Sequence, residues 1–160
     1  MTILAAVDGN ERVDPVVEIG KNLADAYDEE LVLVHVMGDR QYNIIRGEDV
    51  GIVEGPGQFG YNGPSSGEER TYEIDDAKAD AKSVADQVAQ ASLTDLDRVE
   101  TKGLVGQPVQ EILEEADRLD ARYIVVGGRK RSSVGKAIFG SVTQSLLLES
   151  DRPVVTAMSE

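Results

Sequence analysis

The chain has 160 residues and no cysteine, which excludes disulfides, zinc–thiolate sites and thiol catalysis, and its length suffices for one domain spanning residues 1–160 with a sizeable core. Thirty Asp and Glu against sixteen Lys and Arg leave a formal net charge of -14. Such a surface repels nucleic acid and anionic membrane over most of its area. It also suits high salt, where self-repulsion is screened, so a halophilic source and ordinary acidic solubility both fit it.

The first residues, MTILAAVDGNER, carry no basic region before their apolar run, which Asp8 ends. They read as a strand from Thr2 to Val7 and not as a signal peptide. No run approaches the ~20 apolar residues of a membrane span, so a cytoplasmic protein is expected. Val13, Val16, Val17, Gly20, Leu23, Ala24 and Tyr27 then follow helical spacing. The next run, ELVLVHVM from Glu30 to Met37, is nearly all apolar, as a strand covered on both faces should be.

From Gly47 to Gly67 the rhythm breaks: this segment holds seven of the sixteen glycines and two of the five prolines. It cannot form a long helix or strand, because glycine costs conformational entropy and proline removes a donor. It reads as a mobile surface insert or as a lid over a ligand.

A helix is expected from about Glu68 to Ser92, with Ile74, Ala77, Ala81, Val84, Ala85 and Val88 on one face. Ser65 with Glu68, or Ser66 with Glu69, offers it a capping box. A weaker strand pattern, RVETKGLV, covers 98–105. Pro108 then opens a helix whose apolar positions are Val109, Ile112, Leu113, Ala116 and Leu119. The fourth run is YIVVG, 123–127; a helix starting at Ser141 has Val142, Ser145, Leu146 and Leu148 for packing; and PVVTAM, 153–158, closes the chain. Strands alternating with helices predict an α/β domain: a doubly wound parallel sheet with helices on both faces.

Charge is segregated along this pattern. Ala121 to Leu148 contains no acidic residue, while Arg122, Arg129, Lys130, Arg131 and Lys136 supply +5 and leave -19 on the rest. A local positive field in a repulsive surface draws in a polyanion, although a solvated basic loop or an intersubunit patch would look the same by charge alone. Gly127 and Gly128 end the fourth strand, where absent side chains let backbone N–H groups approach a phosphate. Gly140 and Ser141 lie at a helix start, where unpaired N–H groups and the dipole favour an anion. Ser141 with Gln144 also reads as a capping box, so its hydroxyl serves either the helix or a phosphate oxygen.

Two phosphate motifs fail. A P-loop would need glycine at 130 and Ser or Thr at 137, where Lys130 and Ala137 stand. A dinucleotide fingerprint after the first strand would need more than the single glycine of AAVDGNER.

The stretch from Gly127 to Ser141 resembles the nucleotide loop of the universal stress protein family, G-x2-G-x9-G-[S/T], with Lys130 in place of the second glycine. AAVDGNE resembles that family's first-strand segment, LVLVHVM its second strand, GQPVQEIL the turn before its third helix, and DRPVVTAM its closing strand. The resemblance implies five parallel strands in the order 3-2-1-4-5. It implies ATP or another adenine nucleotide, with or without Mg2+, held in the crevice between strands one and four. Asp8 would then contact ribose or adenine, and Val36 the adenine edge. Gly127, Gly140, Ser141, Val142 and Thr143 would hold ribose and phosphates. Gly128 adds a bare backbone amide, and Arg129 and Lys130 add positive charge. Asp8 has a second reading, as the acceptor of an Asx turn into Gly9–Asn10. Lys130 departs from a position where glycine serves either a positive φ or close backbone approach. A nucleotide-free relative whose basic loop docks a protein partner therefore stays open. The closing strand 153–158 would be an apolar edge if left open, so a homodimer paired through it is expected.

Enzymatic chemistry finds little support. His35 is the only histidine and sits in an apolar strand, so no second imidazole or thiol can share a metal with it. No positioned base is evident for Ser132, Ser133 or Ser141, which leaves at most slow, incidental ATP hydrolysis or self-phosphorylation.

Overall fold

The computed structural model describes residues 1–10, 12–47, 72–130 and 137–159. The glycine-rich segment beyond Gly47, the expected capping residues Ser65 to Glu69, and Arg131, Ser132, Ser133 and Lys136 lie outside them. In chain order the elements are β1 (Thr2–Ala6), α1 (Pro15–Tyr27), β2 (Glu30–Gly38), α2 (Asp39–Arg46), α3 (Ile74–Ser92) and β3 (Val99–Gly106). They continue with α4 (Pro108–Arg118), β4 (Ala121–Lys130), β5 (Ala137–Ile138), α5 (Ser141–Glu149) and β6 (Val154–Ser159).

Five strands pair in parallel in the order β3-β2-β1-β4-β6, and β5 adds a two-residue antiparallel rung to the end of β4. With β6 as the fifth expected strand, this is the 3-2-1-4-5 order.

Alternation along each strand sends side chains to opposite faces, and both faces are covered. Ile3, Ala5, Leu31, Leu33 and Val125 pack with α1 (Val16, Val17, Ala24) and α3 (Ala85, Val88, Ala89). Leu4, Val32, Val34, Ile124 and Val126 pack on the other face with α4 (Ile112, Ala116) and α5 (Leu146). That two-sided burial is why the central strands read as unbroken apolar runs.

Several local expectations are corrected. β4 runs on through Lys130 instead of ending at Gly127, because β6 pairs with it as far as Arg129 and β5 pairs with Arg129 and Lys130. The backbone at Lys130 is therefore an extended strand position that any residue adopts, and positive φ gives no reason for glycine there. The described helix α3 begins at Ile74, capped by Glu73 in a reciprocal box with Asp76, and Ile74 itself is exposed. Val13 precedes α1 and is exposed, since Asp14 is the N-cap and Pro15 the first helical residue. Leu148 points outward at 87% exposure, leaving Thr143 and Leu146 as the buried residues of α5. The helix α2 was not anticipated; it runs between Gly38 and a left-handed Gly47 and buries nothing.

Register creates the feature that positions the site. β1 ends at Ala6, opposite Val34, whereas β2 continues to Gly38 on β3, and β4 continues past Val125 on β6. A short strand between two longer neighbours leaves a notch at the carboxyl edge of the sheet. The notch lies where the strand order reverses direction, which is the binding crevice of open α/β sheets.

The sheet is held closely against α3. A Cβ on Gly103 would lie 1.9 Å from the Lys78 carbonyl oxygen and 2.4 Å from the Lys82 nitrogen. Gly103→Ala should therefore destabilise the fold by about 1–3 kcal/mol, as overpacking does. Gly38→Ala, where a Cβ would meet nothing within 4 Å, should be near neutral in the same denaturant titration.

Candidate functional site

The notch opens into a cavity of about 680 Å3. Eight of the expected site residues line it: Asp8, Val36, Gly127, Gly128, Gly140, Ser141, Val142 and Thr143. Arg129 and Lys130 occupy the last two positions of β4, paired with Ile138 and Ala137.

The floor is the turn after β1. Val7 donates its N–H to the Val34 carbonyl at 2.9 Å, the last rung before the chain leaves the sheet. Its carbonyl accepts from His35 Nδ1 at 2.8 Å. A carbonyl only accepts, so Nδ1 carries the proton and Nε2 is the acceptor of the neutral ring. His35 thus closes the hydrogen-bond ladder over the end of β1.

Asp8 makes the Asx turn. Its Oδ1 accepts from the Asn10 backbone N–H at 2.9 Å and its Oδ2 from the Asn10 side-chain amide at 3.0 Å. Between them Gly9 has φ of +76°, and a Cβ there would sit 2.5 Å from Val84 Cγ1, so the turn requires glycine. Each carboxylate oxygen keeps a further lone pair, so the turn fixes Asp8 without exhausting it.

Three helix N-termini meet the cavity, and they differ. Asp14 closes α1, its carboxylate accepting from the Val16 N–H at 2.9 Å, and Pro15 has no N–H to leave open. Pro108 likewise removes one donor from the start of α4. The start of α5 is bare. Gly140 is its N-cap, no side chain caps it, and the first backbone bond runs from the Gln144 N–H to the Gly140 carbonyl at 3.0 Å.

The expected box between Ser141 and Gln144 therefore does not form. Ser141 is already helical, and the Gln144 side-chain amide donates instead to the Phe139 carbonyl at 2.9 Å. The amides of Ser141, Val142 and Thr143 are left at the positive end of the helix dipole, with their residues on the cavity wall.

Thr143 is buried, and its hydroxyl donates to the Gly127 carbonyl at 2.8 Å. A hydroxyl has one proton, so this side chain ties α5 to β4 and cannot also donate to an anion. Its backbone N–H remains for that role. Gly127 itself is loosely enclosed, a Cβ there meeting only Val16 Cγ2 at 3.5 Å.

Sequence reasoning missed several lining residues. Asn10, Asp14, His35 and Gln41 bring polar groups, and Pro108, Ile112 and Val126 bring apolar wall. Asp14 before Pro15 is a visible cap signal; Gln41 had none, because α2 spans only eight residues, too few for a periodic signal.

The model of the universal stress protein family matches residues 55–157. The chain belongs to the universal stress protein family. It is 44% identical over 52 residues to the stress response protein NhaX of Bacillus subtilis (strain 168), covering 32% of this chain and 31% of that one. It is 45% identical over 56 residues to a universal stress protein of Mycolicibacterium smegmatis, covering 32% of this chain and 43% of that one. The chain thus spans less than half the length of these curated relatives in the matches.

Among solved structures, a universal stress protein from Archaeoglobus fulgidus superimposes with a TM-score of 0.60 at 24% identity, over 98% of this chain and 97% of that one. A universal stress protein in complex with cAMP superimposes with a TM-score of 0.57 at 20% identity, over 100% of this chain and 98% of that one. At these identities the likeness is one of fold. Among the described residues, no helix is long and apolar enough to cross a membrane, and no group of three His, Asp or Glu is placed to hold a metal ion.

The tie between α5 and β4 is open to a direct check. Thr143→Val keeps the shape and removes the donor, leaving the Gly127 carbonyl without this partner. Unfolding free energy from denaturant titration should fall by about 1–2 kcal/mol.

Proposed function

We propose that this universal stress protein is a regulatory binding module that holds ATP or a related adenine nucleotide in the notch between β1 and β4. The observation that carries this reading is the uncapped start of α5, whose Ser141, Val142 and Thr143 amides line the cavity that Asp8 also lines. Unpaired N–H groups at the positive end of a helix suit phosphate oxygens, and a fixed carboxylate suits sugar hydroxyls. A volume near 680 Å3 is ordinary for a small-molecule site.

In this reading Val36 borders the base and Asp8 accepts from the ribose. The bare backbone of Gly127 and Gly128 passes beside the sugar and phosphates. Gly140 and the three α5 amides hold phosphate oxygens, with Arg129 and Lys130 supplying charge from the end of β4. The bound nucleotide brings negative charge to the longest acid-free stretch of the chain, 121–148. Any Mg2+ would enter on the phosphates, given the lack of a described three-residue metal cluster. The family's neighbour in complex with cAMP supports an adenine ligand. In this reading the function is binding and not turnover, and among the described residues no base is hydrogen-bonded to the Ser141 hydroxyl on the cavity wall. The module works as one cytoplasmic domain in a stress response, and its acidic surface keeps it off nucleic acid and soluble in high salt.

Ser141→Asp separates binding from folding. A carboxylate at the first position of α5 complements the helix dipole, so the fold should be unharmed. Beside a phosphate it repels. Equilibrium dialysis at matched salt should show ATP affinity reduced by more than about tenfold. Unchanged affinity in the folded variant would contradict the reading.

A second reading, a nucleotide-free protein whose basic loop docks a partner, rests on Lys130 standing where the family loop has glycine. Adenine nucleotide retained through purification, seen by native mass spectrometry, would count against it.

We also infer a homodimer joined through β6. Among the described residues β6 pairs only with β4, and the half-buried Val154 and Val155 make its free edge an apolar strand open to a second copy. Light scattering should return twice the 17.2 kDa chain mass; a monomer mass would end the inference.

A further inference from the structure

At the amino-terminal edge of the sheet, the end away from the notch, two tyrosines meet. Tyr27 ends α1, and Tyr123 lies near the start of β4 beside Ile3 of β1. They stand 96 positions apart in the chain, yet their hydroxyls are 3.1 Å apart. Their ring centroids are 5.7 Å apart and the ring planes are tilted by 50°. Both rings are held in place. Tyr123 packs against the core beneath α1. The Arg122 guanidinium lies over the Tyr27 ring, 4.5 Å from its centroid. The buried Glu29 carboxylate in turn fixes that guanidinium, accepting from Nε at 2.8 Å with Nη2 also at 2.8 Å. Tyr27 is 43% exposed, so an oxidant in solution reaches the pair.

The chain has neither cysteine nor tryptophan. Methionine takes up an oxygen atom when oxidised, which leaves the five tyrosines as the side chains that most readily give up single electrons.

We propose that Tyr27 and Tyr123 form an oxidative cross-linking site, joined into dityrosine by hydrogen peroxide acting through a one-electron oxidant of the haem-peroxidase class. Each phenol loses one electron and one proton, giving two phenoxyl radicals. A carbon–carbon bond forms between the ring positions beside the two hydroxyls. Each of those carbons then releases its hydrogen as a proton while each oxygen regains one. The pair has lost two hydrogens in all, and one peroxide has become two waters. In the product both hydroxyls flank the new bond and the rings are twisted about it, so the contact and tilt of this pair already approach that geometry. The other close pair, Tyr42 and Tyr72, has centroids 6.0 Å apart, but Tyr72 donates to Asp80 at 2.6 Å and not to Tyr42. The new bond staples the end of α1 to β4. It restricts the unfolded chain as a long-range disulfide does, in a protein with no cysteine to make one.

The test treats the folded full chain with hydrogen peroxide and a haem peroxidase. Dityrosine fluorescence should appear in protein that still runs as a monomer under denaturing conditions. Digestion should yield a joined peptide pair carrying Tyr27 and Tyr123, lighter by two hydrogens than its separate parts. The joined monomer should melt at a higher temperature than the untreated chain. Tyr27→Phe and Tyr123→Phe keep the rings and should each abolish this product, whereas Tyr42→Phe should leave it unchanged. The peptide map of the wild-type chain needs no variant, so a variant that fails to fold leaves the test standing. Absence of dityrosine, dityrosine confined to linked dimers, or joined peptides built on the other three tyrosines would overturn the proposal. Fluorescence undiminished in folded Tyr27→Phe, or a melting temperature unmoved by the cross-link, would do the same.

Discussion

Everything at this site follows from β1 stopping before its neighbours. The strand could not continue past Val7, because Asp8 folds onto Asn10 and Gly9 takes a left-handed conformation against Val84. β2 and β4 each find partners farther out, on β3 and β6, and so extend beyond it. The resulting gap exposes backbone that would otherwise be paired. The Val7 carbonyl is satisfied by His35, which lets the gap persist without a stranded buried acceptor.

The walls show a division of labour. α1 and α4 begin at the same edge of the sheet as α5, yet Asp14 and Pro15 quench the first donors of α1, and Pro108 removes one donor from α4, which also lacks a side-chain cap. α5 begins with a glycine and keeps its first-turn amides open, so the dipole of one helix faces the cavity with its charge uncompensated. Thr143 then fixes that helix to β4 at Gly127, which sets the spacing between the bare strand and the bare helix start. What this cavity offers a ligand is the set of groups the fold leaves unpaired, more than any single reactive side chain.

Much of this could be seen in the sequence, for physical reasons. ELVLVHVM and YIVV read as strands because both faces of the sheet are buried, and the spacing from Gly127 to Ser141 joins a bare stretch of β4 to a helix start, both of which line one cavity. Other features depended on partners the local sequence does not name. GGRK has little strand character of its own, and pairing with β5 and β6 extends β4 through it. Ser141 and Gln144 have the pattern of a capping box, but the chain enters the helix one residue earlier and Gly140 takes the cap. Helix α2 spans only eight residues, too few for a periodic signal, so Gln41 was invisible until the end of β2 placed that helix beside the crevice. The position of Lys130 shows the reverse case: a residue that reads as a defect in a glycine motif is unstrained in an extended strand.

The backbone amides at the start of α5 report directly on an anion held there. Titration of the 15N-labelled protein with ATP should move the amide signals of Ser141, Val142 and Thr143 first and most, together with Gly127, Gly128 and Asp8. Saturation with those signals unmoved, or shifts gathered on another face of the sheet, would contradict the account.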